Sequence, residues 1–505
     1  MNLAEKQRIL DEPCEMKPFP EVKRTRSRFR NPIAKYRLHR TRACTSCGKC
    51  SEVCSRGVHI RMGERIRTKD HYLCLGPDCP RPCTSECPVS ALSMRINPSF
   101  EALGDYRWTG DLLVSTWYMA ETGEPPCGGL EYKVGGSEGG FDRLRFLFPN
   151  TPQRDIPQET IDTSVELNRS GDDRHKIRIP VPFYGGGMSY GSVSIRTMVA
   201  RIRAAQAWDT FCCTGEGGYP EKITSYDNHV ITQVATGLFG VREETIQRVR
   251  IVEFKYAQGA KPGLGGHLLG DKVTPSVARM RESVSGKPLF SPFPFHSVYS
   301  VEDHKKHVDW IKAINPRCLV SVKVSTPTDV DMVAVGSYYA GAHIIHLDGS
   351  YGGTGAAPDI AKKNIAMPIE YAVPKVHRFL LEEGVRDKMT VIASGGIRTA
   401  YDIAKIIALG ADGVCTGTAD LVALECLRCH NCESGRGCAR GIATTDPELT
   451  ELMEVEWATQ RIVNLFAAWR KQLVEILMRL GMKSLRELVG RSDELVHLDY
   501  MKGQG

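Results

Sequence analysis

No apolar run in this 505-residue chain approaches the roughly 18 residues a membrane-crossing helix needs. The start, MNLAEKQRIL, has no apolar h-region, so a secretory signal is not expected either. No GxGxxG follows a strand pattern. The glycine-rich GGLEYKVGGSEGG (128–140) lacks that strand–turn–helix context and reads as a loop, which argues against a dinucleotide site in this chain. Charge of one sign is also missing outside one segment. Residues 1–43 hold twelve Lys/Arg against five Asp/Glu, the whole of the net charge of +7. Nothing downstream resembles a base reader, so this basic arm is expected to lie on its own protein or to meet an acidic carrier or partner subunit, not nucleic acid. Hydrophobic content of 42% and charged content of 25% are those of an ordinary globular protein, and the length suits two or three domains.

What the chain has is cysteine, eighteen in all. With no export signal, clustered CxxC spacing reads as metal ligation in a reducing cytoplasm, not as disulfides. Twelve fall in three groups: Cys44, Cys47, Cys50 and Cys54; Cys74, Cys79, Cys83 and Cys87; and Cys426, Cys429, Cys432 and Cys438. CTSCGKC followed by Cys54 is the run of a bacterial-type ferredoxin, in which the fourth cysteine serves the other cluster. On that logic Cys44, Cys47, Cys50 and Cys87 hold one [4Fe–4S] cluster. Cys74, Cys79, Cys83 and Cys54 hold the second. The alternative is a pair of zinc sites, but zinc sites usually show two separated CxxC knuckles, not three cysteines in one tight loop. Iron–sulfur clusters carry single electrons, so the chain reads as an oxidoreductase fed by a partner.

From about residue 179 short apolar runs alternate with helical ones. IRIPVPFYGGGM (178–188), FCCTG (211–215), RIVEFKYA (250–257), CLVSVKVS (318–325), AHIIHLDG (342–349), MTVIASGG (389–396) and ADGVCTGT (411–418) read as strands, with helices such as 194–207 and 400–410 between them. A span near 250 residues with polar or glycine-rich strand ends favours a (β/α)8 TIM barrel over a doubly wound sheet. Ser394, Gly395 and Gly396, with Gly417 and Thr418 one strand later, stand where barrels bind phosphate through the last loops and a short helix N-terminus. That favours a phosphate-bearing ligand such as flavin mononucleotide (FMN). Lys323, inside an apolar run, is placed to hold the electron-rich edge of a reduced flavin by charge or, alternatively, to extend to solvent at the rim.

YAQGAKPGLGGHLLGDKV (256–273) resembles the synthase domain of glutamate synthase. MSYGSVS (188–194), TGEGG (214–218), ITQVATGLFGV (231–241), SPFPFHSVYSVED (291–303), DGSYGGTGAAP (348–358), ASGGIRTAYDIAK (393–405) and CARGIATT (438–445) follow in the family's order. The ferredoxin module in front, without flanking domains, resembles the archaeal-type arrangement. The resemblance implies a barrel that binds FMN and makes L-glutamate from 2-oxoglutarate and ammonia through 2-iminoglutarate. It places Lys255, Gln258, Lys261 and Arg281 around the 2-oxoglutarate and flavin pocket, and Glu216 near the exit of ammonia. It places Met188, Ser189, Gln233, Lys323, Gly353, Ser394, Gly396 and Gly417 against the flavin. Cations and amide donors suit a dicarboxylate, and arginine suits bidentate carboxylate binding.

The family's PGEGGQLPG reads PGLGGHLLG here, so Leu264 and His267 replace polar residues, which bears on substrate preference. By the resemblance, the family's three ligands of a [3Fe–4S] cluster map to Cys426, Cys432 and Cys438, while Cys429 is extra and either closes a [4Fe–4S] cluster or replaces one of the three. The family's glutaminase begins with a catalytic cysteine; this chain begins Met1-Asn2, and Cys14 lies in an unrelated context. Ammonia and electrons are therefore expected from elsewhere: separate glutaminase and β-helix chains or free ammonia, and a ferredoxin or an NAD(P)H-oxidising flavoprotein, in a hetero-oligomer. The expected order is a basic arm (1–43), a two-cluster ferredoxin-like module (44–100), a connecting segment (101–178), the barrel (179–425), a cluster loop (426–445) and C-terminal helices (446–505). In the last of these, Ile462, Leu465, Phe466, Trp469, Leu473, Ile476, Leu477 and Leu480 follow helical spacing, Gly481 suits the helix end and Ser484–Glu487 a capping box, with the apolar face expected on the barrel. Three other readings remain open: an N-methylglutamate synthase that takes methylamine, an electron-transfer subunit whose barrel is not catalytic, and a nucleotide barrel like that of IMP dehydrogenase, without flavin.

Overall fold

Eight parallel strands close into a barrel in sequence order: β1 (Phe183–Gly185), β2 (Cys212–Cys213), β3 (Val230–Ala235), β4 (Ile251–Lys255), β5 (Leu319–Ser325), β6 (Ile344–Asp348), β7 (Thr390–Ser394) and β8 (Gly413–Thr416). The computed structural model describes residues 18–28, 33–126, 140–150, 156–171, 176–354, 357, 360–362, 364–433 and 435–502. Cys14, the start of the basic arm and nearly all of the glycine-rich stretch 128–140 lie outside the described residues. Closure excludes the doubly wound sheet. Seven strands fall on the seven apolar runs. The eighth, β3, was not among them. It is entered from a 3₁₀ run, Glu221–His229, and Thr232 and Gln233 interrupt its apolar text, so the strand–helix rhythm that marks its neighbours is absent there.

Every strand is buried on both faces, as a parallel sheet covered by helices requires. Alternate residues of a strand share a face, and the inner face changes character along the barrel axis. Ile231, Ile251, Leu319, Ile344 and Ile392 form one apolar cluster at the strand starts. One step on, Gln233, Glu253 and Ser321 stand in register, and near the strand ends come Lys255, Lys323 and Asp348. The barrel floor is closed by an antiparallel pair, Val165–Glu166 with Arg178–Ile179, whose Val165, Ile179 and neighbours Leu167 and Ile177 join that apolar cluster.

The helices around the barrel are α1 (Gly110–Thr122), α2 (Ile195–Ala207), α3 (Val301–Ile314), α4 (Val330–Tyr339), α5 (Ile369–Glu382), α6 (Ala400–Ala408), α7 (Thr418–Ala423) and α8 (Val455–Leu480). Their starts are set by local chemistry: Thr109, Ser194, Ser300 and Thr399 each accept a hydrogen bond from the backbone N–H three residues on. The apolar stripe expected on the C-terminal helix is buried along α8. It packs on α1 and α2, with Phe466 and Trp469 edge-on to Phe183 of β1. Gly481 ends α8 at φ 69°, and Ser484 caps the next turn. The described part of the basic arm lies on the same layer. Asn464 of α8 donates to the Lys23 carbonyl, Arg461 to that of Thr25, and Arg28 to those of Leu452 and Arg440. Among the described residues no helix is long and apolar enough to cross a membrane.

The N-terminal module pairs Tyr36–Arg40 with Leu92–Ile96 and His59–Met62 with Arg65–Thr68, both antiparallel, around a short helix, Lys49–Val53. Its apolar clusters are small: Leu38, Val58 and Leu73 in one, Cys50, Ile66 and Leu92 in the other.

Candidate active site

The strand ends bring four charged side chains of distant sequence into one corner of the barrel mouth. Lys255 ends β4 and forms a 3.0 Å ion pair with Glu216, from the loop after β2. Arg281 comes from a helix, Pro275–Arg281, that Thr274 caps at its start. Its guanidinium donates to Ser189 Oγ at 2.9 Å and to the Tyr190 carbonyl at 3.2 Å, while its Nε has no partner. A Cβ on Gly217 would stand 2.6 Å from Arg281 Nη2, so the glycine next to Glu216 lets the guanidinium in. Lys261, buried in the loop after β4, completes the group. Burial alone would raise the Glu216 carboxyl, yet Lys255, Lys261 and Arg281 hold it below its ordinary value. Burial pushes Lys261 down to about 8 and Arg281 down to about 10, with Glu216 opposing both shifts. Three cations around one carboxylate leave two positive charges unanswered, which matches the charge of a dicarboxylate. Gln258 is half-buried on the same loop, with no side-chain hydrogen bond among the described residues. Leu264 is exposed, and His267 stacks on Phe290 at 4.7 Å.

Below this corner runs a buried polar chain that links five strands. Gln233 Nε2 donates to Glu253 at 2.7 Å, Ser321 Oγ donates to it at 3.2 Å, and His346 Nδ1 lies 2.8 Å from it. His346 Nε2 is 2.7 Å from Ser394 Oγ, which donates to Asp348 at 2.5 Å. Asp348 faces Lys323 at 3.5 Å and accepts the Gly259 N–H at 3.0 Å. Burial would raise the Glu253 carboxyl; His346, with Lys323 and Gln233, holds it down to about 2. Burial would likewise lower Lys323, but Asp348 and Glu253 hold it above its ordinary value, so it stays a cation in the barrel interior and does not extend to the rim. Glu253, His346 and Asp348 were not among the expected site residues. The signal that singled out Lys323, a charged residue inside an apolar run, is equally present in RIVEFKYA and AHIIHLDG.

The glycine loops lie beside this chain. Gly395 and Gly396 have φ of +89° and +105°, and a Cβ on Gly395 would stand 2.4 Å from the Gly349 carbonyl oxygen, so only glycine fits where these loops close on each other. Gly353, after β6, faces Thr418 Oγ1, after β8, and Met188 Cε lies 3.6 Å from the Cβ position of Gly417. Gly353, Gly395, Gly396, Gly417, Thr418 and Met188 therefore rim one side of the mouth, while Ser189 belongs to the Arg281 corner and Gln233 to the polar chain beneath.

The N-terminal cysteines regroup across the sequence. Cys54, Cys74, Cys79 and Cys83 line one cavity. Cys44, Cys47, Cys50 and Cys87 line another. Backbone N–H groups of Ser46, Val58 and Ala91 donate to Sγ of Cys44, Cys54 and Cys87 at 3.3–3.4 Å, and Arg40 donates to Cys44 at 3.1 Å. Among the described residues no three His, Cys, Asp or Glu side chains converge as ligands of a single metal ion. The third group directly follows α7. Arg428 N–H donates to Cys426 Sγ, and burial pushes the Cys426 thiol up to about 11. Cys429 is exposed, while Cys426, Cys432 and Cys438 are partly buried. Lys272, three residues before the Arg281 helix, donates to the Cys432 carbonyl at 2.7 Å and pairs with Glu433 at 3.1 Å. Arg428 Nη1 lies 3.8 Å from the Cβ position of Gly353. The loop of the third group thus touches both the cationic corner and the glycine rim.

Residues 153–483 match a family model described as the conserved region in glutamate synthase. A Thermotoga maritima protein described as archaeal-type glutamate synthase (NADPH) is 36% identical over 479 residues, covering 90% of this chain and 92% of that one. A Methanocaldococcus jannaschii protein described as archaeal glutamate synthase (NADPH) is 35% identical over 482 residues, with the same coverage. The large chain of an Azospirillum brasilense glutamate synthase (NADPH) is 37% identical over 319 residues, 62% of this chain but 21% of that one.

Proposed function

The chain belongs to the glutamate synthase family, and from that premise we propose that it catalyses the reductive amination of 2-oxoglutarate with ammonia to L-glutamate. The observation that carries this reading is the corner in which Lys255, Lys261 and Arg281 surround Glu216, two positive charges in excess at a barrel mouth. Arg281 and Lys261 bind the two carboxylates of 2-oxoglutarate, and Gln258 orients the keto group. Glu216 takes a proton from the incoming ammonium, so that the free nitrogen attacks the keto carbon and water leaves to give 2-iminoglutarate. Lys255, 3.0 Å from Glu216, keeps that carboxylate placed.

Flavin mononucleotide fits the other side of the mouth. Lys323 is a buried fixed cation, and the phosphate lies at the strand-end glycines Gly353, Gly395, Gly396 and Gly417, of which Gly417 has no atom within 3.6 Å of its Cβ position other than Met188 Cε. Met188, Ser189, Gln233, Ser394 and Thr418 complete its surroundings. The two N-terminal quartets ring cavities, not a point, and receive N–H donors at sulfur, which suits [4Fe–4S] clusters better than zinc. The third site holds a [3Fe–4S] cluster on Cys426, Cys432 and Cys438, the three partly buried members of its group. When bound, the flavin supplies the hydride that reduces the imine carbon, and the clusters supply the electrons that restore it. Ammonia comes free or from a separate glutaminase chain, and electrons from a ferredoxin or an NAD(P)H-oxidising flavoprotein that docks at the N-terminal module.

The test is anaerobic. The purified chain is reduced, freed of reductant and mixed with 2-oxoglutarate plus ammonium while its visible flavin absorbance and glutamate are followed. Reoxidation that needs both substrates and yields glutamate is the expected result. Reoxidation with methylamine alone, or with neither amine, overturns it.

A further inference from the structure

Arg107 carries a buried charge that no hydrogen bond or ion pair meets among the described residues, with Asp402 and Glu370 attracting it only from a distance. Its side chain is 6% exposed, and none of Nε, Nη1 and Nη2 has a hydrogen-bond partner. A buried guanidinium is costly unless paired, and buried polar groups are normally satisfied. One face of the group lies 3.7 Å over the ring of Tyr351, in the loop after β6. Its edge meets the loop after β7: Nη2 stands 2.7 Å from the Cβ position of Gly396. The neighbouring cation Arg398 is already matched by Asp142 and Asp402. Glu370 lies nearby, since the Cβ position of Gly140 is 3.0 Å from Arg107 Nη1 and 3.4 Å from Glu370 Oε1. No hydrogen bond or ion pair joins the two, and Glu370 Oε2 is itself unpartnered.

We propose that Arg107, supplied by the segment between the N-terminal module and the barrel, is the countercharge for the phosphate monoester of the flavin nucleotide at the Gly395–Gly396 loop. This rests on the flavin reading above. A planar fork whose edge faces a glycine loop, with its face held on an aromatic ring, is built to meet a tetrahedral dianion. The fork is also positioned from the electron-transfer side. Asp105 accepts the backbone N–H groups of Arg107 and Trp108, and its other oxygen accepts Arg428 at 2.8 Å and lies 3.1 Å from His430, both in the loop of the third cysteine group. One short turn thus ties the phosphate side of the cofactor to the loop that delivers its electrons.

The experiment titrates the full chain, freed of flavin with its clusters in place, with FMN and with riboflavin, following quenching of flavin fluorescence. Wild type should prefer FMN. Arg107→Met should weaken FMN by about 10- to 100-fold, the worth of a charge-assisted hydrogen-bond pair, and leave riboflavin unchanged. Glu370→Gln should keep the wild-type ratio of the two affinities. Arg107→Lys, which keeps the charge and loses the fork, should lower that ratio in part, and it decides the matter if the methionine variant does not fold. Equal loss of both flavins in the Arg107 variants, or an unchanged ratio, overturns the proposal and makes Arg107 a structural partner of Glu370. Wild-type protein that binds neither flavin instead overturns the flavin reading itself, and the proposal with it.

Discussion

Beneath the barrel mouth Ile231, Ile251, Leu319, Ile344 and Ile392 close into one layer, while between Tyr36 and Ile96 the apolar clusters shrink to Leu38, Val58 and Leu73 on one side and Cys50, Ile66 and Leu92 on the other. The barrel has enough apolar volume to carry Glu253, His346, Asp348 and Lys323 in its interior. The N-terminal module has too little surface to bury for a core of its own, and its cysteines ring cavities where a core would be. In one region ionised groups are tolerated because packing already holds the fold. In the other, on the proposed cluster reading, ligand binding to thiolates supplies the folding energy.

The largest expected effect tests that contrast directly. Anaerobic chelation of iron should remove amide protection from Tyr36–Ile96 while β3 to β7 stay protected in hydrogen exchange. Retained protection in the module would mean that its small clusters suffice. Cys54→Ser sharpens the same point: it should cost the cluster shared with Cys74, Cys79 and Cys83 and spare the one on Cys44, Cys47, Cys50 and Cys87, read by iron content and electron paramagnetic resonance. In the barrel, Glu253→Ala leaves His346 and Gln233 without their common partner and should cost about 3–5 kcal/mol of stability by denaturant unfolding. Arg281→Ala should weaken 2-oxoglutarate binding by about 10- to 100-fold, or about 1.5–3 kcal/mol, by calorimetry, with little change in melting temperature.

The smallest effect is a pH dependence. Lys261 sits at about 8 because burial disfavours its charge, with Glu216 and Glu433 opposing and Lys255 assisting that shift. A bound dianion favours the protonated amine. Affinity for 2-oxoglutarate should therefore be full below about 8 and fall as pH rises through that value, by up to about tenfold per pH unit. Lys261→Arg should flatten the profile.

Much of this was legible in one dimension. Strand runs ending in glycine, the Ser484–Glu487 capping box, the α8 stripe from Ile462 to Leu480 and the CxxC spacing are local patterns, and local patterns follow from backbone geometry and side-chain period. β3 was illegible because Gln233 belongs to the inner face of the barrel, where it donates to Glu253 rather than to water, and Thr232 beside it breaks the apolar text on the opposite face. Glu253 and His346 carry the same signal as Lys323, a charged or polar residue inside an apolar strand, but that they meet each other is readable from neither strand alone.

The chain by itself determined the barrel's strand rhythm, the helix ends and the cysteine spacing, since each depends on residues a few positions apart. Only the tertiary structure decided which charges meet. Glu253 reaches His346 across 93 residues, and His346 reaches Ser394 across 48. Arg428 reaches Asp105 across 323, and Arg107 is brought against Gly396 by the docking of a segment that precedes the barrel. Pairing energies depend on distance and burial, and neither exists until the chain has closed.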